Sequence, residues 1–219
     1  MAENGGEAAD ATGHGLAAVP TGTTTAQVAT DGPLGNARVN GNSTSRGWLA
    51  VAYDTQLNLG ETFTMSGWYR MTALNGSTPI FGRQFGWSAR TGWMFEMSGS
   101  YTDFAARGKG GADRVEVTGS NPSAENAWVH VAVVYKGTTA TVYGNGVQIA
   151  SGPIETVVDE KDTALTFGYG NTRNQFYGAF DEFRVLYEPR SAEWIRACYA
   201  NQNVYRAGAP RICAPIHSR

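Results

Sequence analysis

The chain has 219 residues, 28 of them glycine, with 11% aromatic residues and 17 Lys+Arg against 19 Asp+Glu for a net charge of −2. That balance lacks the basic footprint of a partner for nucleic acid or an anionic membrane surface. No apolar run approaches the ~20 residues of a membrane-spanning helix, and the length suits one all-β domain of many short, tightly turned strands.

In chain order, residues 1–9 are small, polar and acidic and are expected to be disordered or appended to the domain. The opening has neither the basic region nor the apolar stretch of a secretory signal. Any such signal is expected upstream, in a longer chain. Phe63 to Tyr69 alternates as a strand, with Phe63, Met65, Gly67 and Tyr69 on one face. Thr78–Gly82, Gly92–Met97, Phe104–Arg107 and Arg114–Thr118 read as further short strands. The centre of the chain is the meander Trp128–Tyr135, Thr139–Tyr143 and Val147–Ala150. Its first run is dense in β-branched and aromatic residues. Lys136-Gly137 and Asn145-Gly146 supply the turns, the second carrying the Asn-Gly step of a tight hairpin. Such a meander must lay an apolar face on a second sheet. Ala164–Gly168 and Phe176–Tyr187 are the last strands, and Ser191–Tyr199 reads as a short helix with Ser191 as N-cap and Ala192, Ile195 and Tyr199 on one stripe. Residues 204–219 form an irregular tail containing Pro210 and Pro215. Cys198 and Cys213 are close enough in sequence to close a disulfide that ties this tail back, stabilising by ~3 kcal/mol. Two free thiols in a reducing compartment are the other reading.

Several of these stretches occur together in one family. Trp128-Val129-His130-Val131-Ala132 followed by Tyr135-Lys136-Gly137 and Tyr143-Gly144-Asn145-Gly146 resembles the W-x-H-V-A-x-x-Y-x-G … Y-x-N-G block of laminin G-like, concanavalin A-like lectin/glucanase jelly-roll domains. Phe176 to Val185 resembles that family's F-x-G-x-F-D-E-F-R-V strand. Asp10-Ala11-Thr12-Gly13, Asp31-Gly32-Pro33-Leu34-Gly35-Asn36-Ala37 and Phe63-Thr64-Met65-Ser66-Gly67-Trp68 match further elements, so the likeness spans residues 10–203. Val39 departs from the aromatic usual before the N-G step at Asn40-Gly41.

The resemblance implies an all-β fold, an antiparallel β-sandwich (jelly roll) with one short C-terminal helix. It also implies a non-catalytic, extracellular binding module, carbohydrate-binding, within a larger bacterial surface or secreted protein. An adhesive or structural protein–protein domain is the alternative. A structural Ca²⁺ is implied at Asp181, with backbone carbonyls from Asn40 and Gly41 and a second carboxylate from Asp10 or Asp31. Hard cations take several oxygens, which turn carbonyls supply. Asp181 pairing with Arg184 or capping a turn is the plain alternative.

Catalytic patterns are sparse. A retaining glycosidase needs two carboxyls ~5–5.5 Å apart, and no E-x-D-x-x-E string puts them on one strand face. Asp159-Glu160-Lys161-Asp162 reads as a loop, and Asp181-Glu182 point to opposite faces. Glu96 and Asp103 are the remaining acids that folding would have to bring together. His130 lies in an apolar strand and reads as a buried structural residue; no G-x-S-x-G or Cys-His arrangement is present. Sugar recognition, in contrast, asks only for exposed rings beside planar polar groups. Three segments offer that mixture: Arg83-Gln84-Phe85-Gly86-Trp87, Asn171-Thr172-Arg173-Asn174-Gln175 between Tyr169 and Tyr177, and Gly99 to Asp103. The expected ligand-binding residues are Arg83, Gln84, Trp87, Tyr101, Asn171 and Arg173, while Trp68, Trp128 and Trp194 are assigned to the core.

Overall fold

The computed structural model describes residues 7–22, 27–40, 47–73, 76–83, 92–99, 101–107, 114–154, 163–169 and 176–206. Among the described residues, fourteen strands pair antiparallel in two seven-stranded sheets. The first sheet runs β1 (Ala18–Gly22), β4 (Gly47–Val51), β13 (Leu165–Phe167), β6 (Ser77–Gly82), β7 (Trp93–Ser98), β8 (Tyr101–Arg107), β9 (Arg114–Ser120). The second runs β12 (Val147–Pro153), β11 (Thr139–Gly144), β10 (Trp128–Lys136), β5 (Thr62–Met71), β14 (Gly178–Leu186), β3 (Gly35–Asn40), β2 (Gln27–Gly32). An α-helix, α1 (Ala192–Arg206), follows β14. The expected antiparallel sandwich with a C-terminal helix is therefore observed, with the helix running further than the Ser191–Tyr199 expectation. Ala8, in the segment expected to lie outside the domain, bridges Ala18. Residues 207–219, including Cys213, lie outside the described residues.

The central meander forms as its turn chemistry dictates. β10 pairs with β11 from Lys136↔Thr139 onward, and Gly137 takes φ +65 in the turn. Asn145 and Gly146 take φ +50 and +77, the two left-handed positions of a type I′ hairpin. β10 is buried along all but its last residue because it is covered on both faces. On the inner face, Val129, Val131, Val133 and Tyr135 join Phe63, Met65 and Tyr69 of β5 and Phe81, Trp93, Phe95 and Phe104 of the opposite sheet in the main core. Phe81 stacks on Phe95 at 5.2 Å, and the buried Tyr135 hydroxyl donates to the Ile154 carbonyl at 3.0 Å.

The outer face of the second sheet is covered by α1. Ser191 Oγ accepts from the Trp194 N–H at 3.2 Å, capping the helix as expected. Ile195, fully buried, packs on Ala132, Val134 and Tyr143. Tyr199 stacks on Trp68 at 5.6 Å, and Trp68 Nε1 donates to Gln202 Oε1 at 2.5 Å. Trp68 and Trp128 are buried as expected, but on this outer face rather than between the sheets. Trp194 is only half-buried, with the Arg190 guanidinium 5.0 Å over its ring.

Candidate functional site

Strand register decides which loops meet. β13 and β6 pair through Thr166↔Gly82 and Phe167↔Phe81, so the chain leaves β6 at one end of the sandwich and β13 at the other. Ser77↔Ser98, Ser98↔Tyr101 and Tyr101↔Ser120 place the β7–β8 turn at the end where β13 finishes. Tyr169 and the turn bearing Tyr101 therefore stand at one end, and Arg83 stands at the opposite end, ~20 Å away across the six residues of β6.

Arg83 is also not a surface residue. It is 1% exposed, and its guanidinium donates to the Thr163 and Leu57 carbonyls (both 3.2 Å) and to Asn58 Oδ1 (3.1 Å) while lying 5.2 Å over the Tyr53 ring. It pins that end of the sandwich by satisfying buried carbonyls. Tyr101 is half-buried at the start of β8. Gln84, Trp87, Asn171 and Arg173 lie outside the described residues. A ring missed from sequence stands at the Tyr101 end. Trp48 on β4 meets Tyr169 edge-on, with centroids 4.7 Å apart and planes at 77°. The alternation of Gly47, Leu49 and Val51 inward with Trp48 and Ala50 outward was its available signal.

The expected calcium ligands are only partly assembled. Asp181 is buried, and its Oδ2 accepts from the Leu34 N–H at 3.1 Å. Burial pushes its carboxyl up to about 6, against the opposing pull of that N–H. A Cβ on Gly32 would lie 2.9 Å from Asp181 Oδ2, the Gly35 carbonyl oxygen and the Ala37 Cβ, a close approach that admits only glycine. Asn40, however, lies opposite Gly178, three residues from Asp181 along β14 and thus ~10 Å off. Gly41 is outside the described residues. Asp31 turns instead to an ion pair with Arg70, and Asp10 accepts from the N–H groups of Thr12 and Leu16. Arg184 pairs with Glu182 rather than Asp181. Among the described residues no three His, Cys, Asp or Glu side chains converge as metal ligands.

Folding does bring one acidic pair into register. Glu96 on β7 is directly opposite Asp103 on β8, and Glu96 belongs to the face turned away from Phe95 and Met97 of the core. Cys198 is a half-buried free thiol on α1, and Cys213, its expected partner, lies outside the described residues. His130 is buried as expected; its backbone N–H donates to Asn145 Oδ1 at 3.0 Å, but its Nδ1 has no partner among the described residues.

Residues 43–196 match the laminin G family described as the concanavalin A-like lectin/glucanases superfamily. The chain belongs to that superfamily. No curated protein matches it. Among solved structures, this concanavalin A-like chain is similar to the binding domain of Paraclostridial mosquitocidal protein 1, at TM-score 0.70 and 18% identity, covering 87% of this chain and 48% of the other. It is similar to domain 4 of AbnA, a GH43 extracellular arabinanase from Geobacillus stearothermophilus, solved with arabinotriose, at TM-score 0.66 and 19% identity, covering 89% and 98%. It is also similar to a botulinum neurotoxin type C structure whose description links cell entry to two ganglioside molecules, at TM-score 0.66 and 14% identity, covering 89% and 48%. The chain thus spans about half the length of the toxin domains and nearly all of the arabinanase domain. At these identities the likeness is one of fold.

Proposed function

We propose that the chain is a carbohydrate-binding module of a larger secreted or surface protein, without catalysis of its own. The observation that carries this reading is the fit of the whole sandwich to an arabinanase domain solved with arabinotriose, 98% of which it covers. The binding surface belongs to the end of the sandwich that bears Tyr101 and Tyr169, from which Asn171 and Arg173 follow in sequence. A calcium ion held by Asp181 with the backbone carbonyls of Asn40 and Gly41 would offset the burial of the carboxylate. A second reading, a glycosidase, is favoured by the Glu96↔Asp103 register. Directly opposed residues have Cβ atoms ~4.5–5.5 Å apart, so the register brings the two acids side by side, with Glu96 buried.

Both readings are tested by binding to a glycan array and to insoluble polysaccharides, in calcium and in EDTA, with reducing ends assayed afterwards. Saturable binding without sugar release supports the module, and loss of that binding in EDTA supports the cation. Sugar release abolished by Glu96→Gln supports the glycosidase. No binding and no release in either condition would leave an adhesive protein–protein domain.

A further inference from the structure

On β4, Gly47, Leu49 and Val51 are buried toward the sandwich interior, while Trp48 and Ala50 are half-exposed on the other face. The neighbours of Trp48 on that face are short. Thr21 of β1 is directly opposite it. On the other side, one step beyond Phe167↔Leu49 brings Gly168 alongside, a residue with no side chain to stand against the indole. Gly168 takes φ +73, a conformation glycine adopts without strain, and the chain turns there. Tyr169 is thereby swung onto the same face, its ring at 77° to Trp48. Neither ring joins the buried clusters between the sheets or beneath α1. The result is a half-exposed aromatic corner with the buried Gly168, rather than a side chain, beside the indole.

We propose that this corner stacks a sugar unit of a neutral glycan, Trp48 under the C–H face of the ring and Tyr169 against its edge. The proposal rests on the carbohydrate-binding reading and gives it a site. Sugar C–H faces are attracted to the negative face of an aromatic ring. The Thr21 hydroxyl, which donates to the Val19 carbonyl at 3.3 Å, keeps its lone pairs as acceptors at the rim. Among the described residues around the corner, Val19, Thr21 and Ala50 are uncharged, which favours an uncharged polyol over a sialylated or sulfated one.

The test is calorimetric titration of the full chain with arabinotriose, cellotriose and mannotriose. The wild type is expected to bind at least one. Trp48→Ala and Tyr169→Ala should each weaken that binding by about tenfold or more, the loss typical of a stacked aromatic anchor. Trp48→Phe should retain most of it. Thermal melts accompany each variant, and if Trp48→Ala does not fold, Tyr169→Ala and Trp48→Phe decide. Binding within about twofold of wild type in Tyr169→Ala and in any folded Trp48→Ala would overturn the site while leaving the carbohydrate reading intact. A wild type that binds none of the three sugars would overturn both.

Discussion

His130 and Asp181 occupy one row across the outer face of the second sheet, on either side of Trp68, through the registers Asp181↔Trp68 and Trp68↔His130. Both are buried and both titrate abnormally, in opposite senses. Burial, reinforced by the nearby Arg184 charge, holds the imidazole down to about 4. The folded state thus refuses a proton that the unfolded chain accepts near pH 6.5, and stability present at neutral pH is lost as the pH falls toward 4. Burial pushes the Asp181 carboxyl up to about 6, so the folded state takes a proton early, and stability is gained as the pH falls through that value. The two contributions oppose each other over nearly the same window. Relative to wild type, His130→Gln should gain about 2 kcal/mol between pH 7 and pH 4.5 in EDTA, and Asp181→Asn should lose a similar amount. Urea unfolding at several pH values checks this. Three parallel stability curves would show that neither group is protonated as its burial requires.

At the scale of elements, β14 shows how one residue re-aims a strand. A bulge between Asp181 and Arg184 puts Glu182 at φ +53, and Phe183 turns to the inner face, where it meets Phe81, Phe167 and Phe180 with centroids 4.8–5.8 Å away. Gly67 of β5 makes room for it: a Cβ there would lie 2.5 Å from the Phe183 ring. Gly67→Ala should cost about 1–3 kcal/mol through forced repacking, read as a lowered denaturation midpoint. An unchanged midpoint would mean the ring shifts freely. Helix α1 depends on Ile195 in the same way. Truncating it opens a cavity over Ala132, Val134 and Tyr143, and Ile195→Ala should cost about 2–5 kcal/mol. A loss below about 1 kcal/mol would show that the helix rests on the sheet without holding it.

At the scale of the whole molecule, the two sheets, the meander and the capped helix were legible because each is written locally. Period-two alternation marked β5, turn glycines marked the hairpins, and Ser191 marked the helix start. The covering of both faces of the second sheet was not legible, since Trp68 and Trp128 are equally apolar whether they meet the opposite sheet or α1. Arg83 looked like a ligand contact because an arginine before an aromatic loop has the same composition whether it faces solvent or buried carbonyls. Trp48 was passed over because its partner, Tyr169, is more than a hundred residues away. By itself the sequence determined the fold class, most strand positions and the superfamily, all of which follow from short-range patterning and turn geometry. Only the tertiary structure decided which loops share an end, which acids stand opposite each other and which rings remain exposed. Those depend on pairings such as β4 with β13 and β6 with β13, long-range contacts that no local pattern encodes.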